Sequence, residues 1–325
     1  MQKIPLGKSN LKITPIIMGT WQTGKWMWTG IDDNESVRAI HAAFDNGIST
    51  FDTAAVYGDG HSERVLGGAL KDRRDKVEIL TKVFHNKLNY NQVMNSCEAS
   101  LKNLQTDYID LLQIHWPAGS FKSKQIPVEE TLRAFNKLKK DGKIRVIGVS
   151  NFNLDQLKEA RQFAEIVSIQ PPYSLFWRQA EFNLLPFVQE SGMTLLAYSP
   201  LAQGILSGKF KIDHQFDEED HRHKNHLFHQ PHWDRVQTAL SKIRTIAEAK
   251  QITMAELALA WLISHPNCAA IAGARNAEQS SANSRAAGIK LTDDELKLLD
   301  VISRSVYDYL PTDPLQWTFG QKKEN

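Results

Sequence analysis

Two cysteines, Cys97 and Cys268, are all that the 325 residues carry. They cannot build a disulfide framework, and neither lies in a CxxC or metal-ligand spacing, so reduced thiols are expected. An excess of one charge is also missing. The 39 Lys and Arg against 37 Asp and Glu leave a formal net charge of +2, which gives no electrostatic reason to expect nucleic acid or an anionic membrane as partner. Uninterrupted apolar runs of about 18 residues are absent, so no membrane-spanning helix is expected. The first residues carry Lys3, Lys8 and Lys12 and no apolar core of a signal peptide, so a cytoplasmic location is expected. The sequon Asn34-Glu35-Ser36 then has no use. Finally, the first apolar segment ends Met18-Gly19-Thr20-Trp21, without the GxGxxG turn that an open dinucleotide-binding sheet places there.

What is there is an ordinary globular composition, 42% hydrophobic and 23% charged, which excludes a disordered chain or a fibre. Short apolar, β-branched segments recur at Ile16–Met18, Ile48–Asp52, Val77–Lys82, Tyr108–Ile114, Ile144–Val149, Ile166–Gln170, Thr194–Tyr198 and Ala270–Ala272. They are apolar almost throughout, as strands buried on both faces should be. Between them the period changes to that of amphipathic helices, over Asp33–Asn46, Asn91–Leu104, Val128–Lys140, Asn153–Phe163, Gln179–Glu190 and Ala277–Ala287. Alternation of this kind implies a parallel sheet with right-handed crossovers, and eight units favour a closed (β/α)8 TIM barrel. One such barrel domain over 1–325 is expected. Three additions fall outside the eight units. Lys3–Leu6 and Leu11–Thr14 read as a hairpin under the barrel, Ala202–His232 as a long polar insertion after the seventh strand, and Asp293–Arg304 as an extra helix.

Barrels of this type carry their chemistry at the C-terminal ends of the strands. Reading those ends in order gives Asp52 and, a few residues on, Tyr57, then Lys82, then His115. A carboxylate, a phenol, an ammonium and an imidazole from adjacent strands form a coherent group. Asp52 can hold Lys82 by an ion pair, and a cation beside Tyr57 would lower its pKa and suit it to general-acid work. His115 can add a hydrogen bond to the same substrate oxygen. The arrangement suits protonation of a carbonyl oxygen, with the hydride coming from a cofactor, since no side chain supplies one.

The motifs around these residues carry a resemblance. Phe51-Asp52-Thr53-Ala54-x-x-Tyr57-Gly58-x-Gly60-x-Ser62-Glu63-x-x-Leu66-Gly67, Ile79-Leu80-Thr81-Lys82, Asp107-Tyr108-Ile109-Asp110-Leu111-Leu112-x-Ile114-His115-Trp116-Pro117 and Gly142-Lys143-Ile144-Arg145-x-Ile147-Gly148-Val149-Ser150-Asn151-Phe152 occur in the order found in aldo-keto reductases. The chain is identified by them as a member of that superfamily, from about Leu6 to Leu299. The resemblance implies a catalytic tetrad of Asp52, Tyr57, Lys82 and His115, with Tyr57 as proton donor. It implies NADP(H) as cofactor, a small-molecule carbonyl as substrate and a monomer. Ser150 and Asn151 match the pair that bonds the nicotinamide carboxamide, Gln170 the residue on its other side, and Tyr198 the ring stacked on it. Ser199, Pro200, Leu201 and Gly204 match the pyrophosphate loop. Gly273, Arg275, Gln279 and Asn283 match the adenosine loop and helix after the eighth strand. Ala282 stands where many members carry Glu, and Arg275 is the only cation between Ala270 and Ser284. The Gly-Ala-Arg-Asn-x-x-Gln variant resembles the bacterial and channel-subunit branches of the superfamily.

Eight tryptophans are many for this length. Trp21, Trp26 and Trp28 follow the first strand, Trp116 follows His115, Phe176 and Trp177 follow the sixth strand, and Trp317 and Phe319 lie near the end. Several are expected to line an apolar cleft, Trp21 and Trp116 foremost. The insertion holds six of the 11 histidines, yet the expectation there is a mobile polar loop that folds over the cofactor, with no metal site. The leading functional reading is an NADPH-dependent carbonyl reductase. Its rivals are a cofactor-sensing regulatory subunit with little turnover and an NAD-dependent sugar or polyol dehydrogenase.

Overall fold

The computed structural model describes residues 1–25, 27–218 and 220–310. A short antiparallel hairpin, β1 (Ile4–Pro5) and β2 (Lys12–Ile13), precedes the barrel and closes its floor. The barrel strands are β3 (Ile16–Gly19), β4 (Thr50–Asp52), β5 (Glu78–Val83), β6 (Ile109–Ile114), β7 (Ile144–Ser150), β8 (Ile166–Gln170), β9 (Thr194–Ala197) and β10 (Cys268–Gly273). All eight pair in parallel in chain order, and β10 closes the ring on β3 through Ala270 opposite Ile16 and Gly273 opposite Gly19. The expected (β/α)8 barrel is the observed one.

Seven of the eight strands divide their apolar side chains between two cores. Ile17, Leu80, Leu111, Val146, Leu196, Ala269 and Ile271 fill the lumen, plugged from below by Leu6, Leu11 and Ile13 of the hairpin. Their neighbours in sequence, such as Ile16, Met18, Ile79, Leu112 and Ala270, face outward against the helices. Burial on both faces is why the sequence shows no alternation of apolar and polar residues. The hairpin turn sits close against the lumen wall. Gly7 has φ +57, and a Cβ there would stand 2.5 Å from the carbonyl oxygen of Val167.

The outer helices are α1 (Asp33–Asp45), α2 (His61–Leu70), α3 (Tyr90–Leu104), α4 (Val128–Lys140), α5 (Leu154–Phe163), α6 (Leu184–Ser191), α7 (His232–Ala249), α8 (Met254–Ile263), α9 (Ala277–Arg285) and α10 (Asp293–Tyr307). Local chemistry starts several of them. Asp32, Asn89 and Asn276 cap backbone amides, and Asn153 with Gln156, Thr253 with Glu256 and Thr292 with Glu295 form reciprocal capping boxes. Such caps stabilise a helix by about 1 kcal/mol each.

The helix expected over Gln179–Glu190 is broken into a 3-10 turn at Gln179–Glu181 and α6. Pro186 explains the break. Its ring would clash with the carbonyl of Phe182 in a continuous helix, but it is tolerated in the first turn of one that begins at Leu184. Helix α8 escaped the sequence reading because nearly every side chain in it is buried, which erases the helical period.

Candidate active site

The lumen register built the site. Two residues beyond the lumen-filling Leu80 comes Lys82, beyond Leu111 come Gln113 and His115, beyond Leu196 comes Tyr198, and beyond Ile271 comes Gly273. Because successive inward positions are two apart, the strand ends raise polar side chains from the apolar plug to the mouth of the barrel.

There Lys82 Nζ donates to Asp52 Oδ1 at 2.6 Å and to the carbonyl of Thr53 at 2.7 Å. The Lys82 and Asp52 side chains are 0% and 4% exposed, so this is a fully buried ion pair. Gln170 Nε2 donates to the other Asp52 oxygen at 2.9 Å. Tyr57 lies directly above, with Lys82 Nζ 5.3 Å from its ring centroid and the His115 ring 5.9 Å away, edge-on. The structure therefore brings Asp52, Tyr57, Lys82 and His115 together. The backbone of Tyr57 is fixed from below. A Cβ on Gly24 would stand 2.7 Å from the Tyr57 carbonyl carbon, so the loop after β3 and the loop after β4 touch main chain to main chain.

The electrostatics differ from the expectation that Lys82 draws the Tyr57 pKa down. Burial pushes the phenol well above its ordinary 10.0, and the Asp52 carboxylate and Tyr198 push the same way. Lys82 does not counter this because its charge is already matched by Asp52. Burial lowers the Lys82 pKa, and Asp52 opposes the shift. His115 is held far below the ordinary 6.5 by burial, then by Lys82 and by His85. At neutral pH the site thus presents a protonated phenol and a neutral imidazole. The Nδ1 of His115 is buried without a hydrogen-bond partner.

Ser150, Asn151, Gln170 and Tyr198 meet at the adjoining ends of β7, β8 and β9. Ser150 Oγ donates to the Gln170 carbonyl at 2.8 Å, and Asn151 takes φ +60. The Asn151 amide donates to the His115 carbonyl at 3.0 Å and accepts from the Tyr198 hydroxyl at 2.9 Å. Trp177 stands edge-on behind Tyr198, with ring centroids 6.3 Å apart. Beyond them the segment Ser199-Pro200-Leu201-Ala202-Gln203-Gly204 bends through positive φ at Ser199, Ala202, Gln203 and Gly204. Three of these four are not glycine, and such backbone is strained by about 1–3 kcal/mol per residue. A concave turn of this kind presents backbone amides to an anion.

After β10, Gly273 lies beneath Gln22, whose Oε1 would be 2.5 Å from a Cβ there. Gln279 Oε1 accepts from the Arg275 amide at 2.9 Å, and Asn283 Nδ2 donates to the Gly273 carbonyl at 3.2 Å. Both side chains thereby shape the loop. The guanidinium of Arg275 lies over the Trp28 ring at 5.5 Å, and its Nη2 is buried with no hydrogen-bond partner. Arg275 is not alone, as the sequence spacing implied. Arg222 and Lys209 from the insertion share its field, and burial and their mutual repulsion lower the pKa of both Lys209 and Arg275. The carboxylate of Asp220 is taken up by the Arg222 guanidinium and amide. Three cations crowded with one carboxylate, and an unbonded guanidinium nitrogen among them, fit a phosphorylated nucleotide. The sequence signal for Arg222 and Lys209 was weak, since they stand 53 and 66 positions from Arg275.

The insertion is seated on the barrel. Asn225 is fully buried, caps the Leu227 amide and donates to Gln203 Oε1 at 3.0 Å. The His221 ring, bonded to the Met27 carbonyl at 2.9 Å, packs 4.8 Å from both Trp21 and Trp28. Among the described residues no three His, Cys, Asp or Glu side chains are grouped to hold a metal ion. One wall of the mouth is therefore Trp21, Trp28 and His221. A second ring cluster, Phe84, His85, Trp116 and Phe121, is linked by contacts of 4.2, 5.1 and 5.0 Å and reaches His115 through Phe84. Phe176 and Trp177 are buried at 0% and belong to the core rather than a cleft. Trp26, Trp317 and Phe319 lie outside the described residues.

A closed parallel barrel with a buried Lys–Asp pair, a protonated phenol and a neutral imidazole at its mouth defines the class of protein. The family model described as Aldo/keto reductase family matches residues 15–304, and the chain belongs to that family. It is 35% identical over 314 residues to the aldo-keto reductase YhdN of Bacillus subtilis, covering 93% of each chain. Among solved structures, the glycerol dehydrogenase AKR11B4 of Gluconobacter oxydans superposes with a TM-score of 0.86 at 34% identity, over 95% of this chain and 97% of that one. An aldo-keto reductase of Klebsiella pneumoniae in complex with NADPH superposes at 0.77 with 30% identity, over 98% and 100%. No described helix is long and apolar enough to cross a membrane.

Proposed function

We propose that the protein reduces aldehydes or ketones to alcohols at the expense of NADPH, with the barrel, insertion and closing helix working as one domain over 1–325. The observation that carries this reading is the buried Lys82–Asp52 pair beneath a fully protonated Tyr57 beside neutral His115. A bound reduced nicotinamide would supply the hydride to the carbonyl carbon. The rest falls to this chain. Tyr57 and His115 hold the carbonyl oxygen, and the Tyr57 hydroxyl gives it a proton as charge develops. A phenol raised in pKa can still do so, since an alkoxide is a stronger base than a phenolate. The ion pair below keeps the phenol's environment fixed without a net charge. Ser150, Asn151, Gln170 and Tyr198 would hold the nicotinamide end, and the Ser199–Gly204 turn the diphosphate. Gly273, Arg275, Gln279 and Asn283, with Lys209 and Arg222, would hold the adenosine end. The Klebsiella protein bound to NADPH supports this choice of cofactor.

The test is a panel of aldehydes and ketones with NADPH and with NADH, followed by nicotinamide absorbance. NADPH-dependent loss of absorbance is expected. Tight NADPH binding with no turnover would favour a cofactor-sensing subunit instead. Turnover only of polyols with NAD would favour the dehydrogenase direction, which the resemblance to a glycerol dehydrogenase supports.

Arg275 sharpens the cofactor assignment. Loss of one charge-assisted contact costs about 1.5–3 kcal/mol, or roughly 10–150-fold in affinity. Because Lys209 and Arg222 remain, Arg275→Ala is expected near the lower end of that range for NADPH, with NADH binding almost unchanged. Fluorescence titration with both nucleotides measures it. Equal weakening of the two would show that Arg275 does not meet the 2′-phosphate.

A further inference from the structure

His85 follows β5 three residues beyond Lys82 and was not marked by any sequence motif. It is 8% exposed, and its Nδ1 is buried without a hydrogen-bond partner. An imidazole placed there for packing alone would be an odd choice, since a buried polar atom without a partner is unfavourable and a Phe would fill the same space. The ring lies in the wall of the mouth. It packs 4.2 Å from Phe84 and 5.1 Å from Phe121, and Phe84 in turn lies 5.5 Å from His115. Phe84 therefore separates two imidazoles on one wall. His115 is beside Tyr57, where a carbonyl oxygen would be held, and His85 lies one ring further along. Burial holds His85 below the ordinary histidine value, so it offers one donor and one acceptor nitrogen at neutral pH.

We propose that His85 is a specificity residue that hydrogen-bonds an oxygen on the carbon next to the reacting carbonyl, so that short carbonyl compounds with such a neighbouring oxygen are the preferred substrates. The proposal rests on the carbonyl-reductase reading of the site. It follows from spacing along the wall. The reacting oxygen sits at Tyr57 and His115, the Phe84 ring gives the carbon chain an apolar surface, and the next polar group met is His85. A hydroxyl is both donor and acceptor and suits either nitrogen of a neutral imidazole. An unsubstituted alkyl aldehyde would leave His85 Nδ1 as it is now, buried and unbonded. Sites built to bond a substrate hydroxyl discriminate strongly against analogues that lack it, because the buried partner is then left unpaired.

The matched pair 2-hydroxypropanal and 2-methylpropanal differs by a hydroxyl in place of a methyl of similar size. With NADPH, the wild type is expected to favour the hydroxy compound by about tenfold or more in kcat/KM. His85→Phe keeps the ring contacts with Phe84 and Phe121 and should erase most of that preference. It should lower turnover of 2-methylpropanal less than that of the hydroxy compound, and His85→Gln should restore part of the preference. NADPH affinity should be unchanged in both variants. A wild type that reduces both aldehydes without preference overturns the proposal, as does His85→Phe lowering both by the same factor. In either case the carbonyl-reductase reading stands. A wild type that reduces no carbonyl compound removes that reading and the His85 proposal with it.

Discussion

Tyr57→Phe is expected to lower kcat for carbonyl reduction by at least about 10²–10⁴-fold, the usual contribution of a positioned general acid. The substitution removes one hydroxyl and little else. The ring keeps its stacking on Trp21, with centroids 6.3 Å apart, and the main chain stays pinned against Gly24. The NADPH dissociation constant should therefore stay nearly the same. Stopped-flow single turnover alongside nucleotide titration separates these quantities, and a variant that keeps most of a robust activity would remove Tyr57 from its role. The wild-type pH profile gives an independent reading. The Tyr57 pKa is raised above 10.0, so the acid form persists through neutral and mildly alkaline pH and is lost only beyond that. The His115 pKa is lowered below 6.5, so the imidazole is already neutral there and gains a proton only in acid. Reduction kcat should accordingly be flat between those two ordinary values. An inflection at the ordinary histidine value would mean that His115 is more solvated than its burial implies.

Lys82→Met should damage both stability and turnover. The ion pair with Asp52 is buried on both sides, and breaking such a pair strands a carboxylate in low dielectric at about 3–5 kcal/mol. Asp52 would retain one donor, Gln170 Nε2, and Thr53 would lose the donor to its carbonyl. A melting-temperature drop of many degrees is expected, together with activity near background. The double variant Asp52→Asn/Lys82→Met separates the two effects. With no buried charge left, it should recover much of the lost stability while remaining inactive. A double variant as unstable as the single would show that packing of the lysine stem, rather than charge, dominates.

The site was legible in the sequence to the extent that it lies at strand ends. Asp52, Lys82, His115, Gln170 and Tyr198 each close an apolar run, and a two-residue register from Leu80, Leu111 and Leu196 carries Lys82, His115 and Tyr198 inward. The same reasoning found the hairpin floor and the capped helices other than α8. It overextended the helix at Gln179, because a helical period reads the same on either side of a proline that breaks it. It also left the loops unassigned. Lys209, Arg222 and His221 come from an insertion whose order depends on the burial of Asn225 and Leu227, a tertiary event with no periodic signature.

The sequence by itself determined the barrel, its closure by eight βα units, and which strand-end groups reach the mouth. Alternation, capping and strand register are local properties, and they propagate predictably along the chain. Only the tertiary structure decided the charge states of those groups and their company. Burial turned Tyr57 into a weaker acid than a neighbouring lysine suggested, because the Lys82 charge is matched by Asp52. Packing also placed Lys209 and Arg222 beside Arg275, and left Nδ1 of His85 without a partner near His115. Desolvation and contacts between distant loops depend on what surrounds a residue in three dimensions, and sequence spacing carries no measure of either.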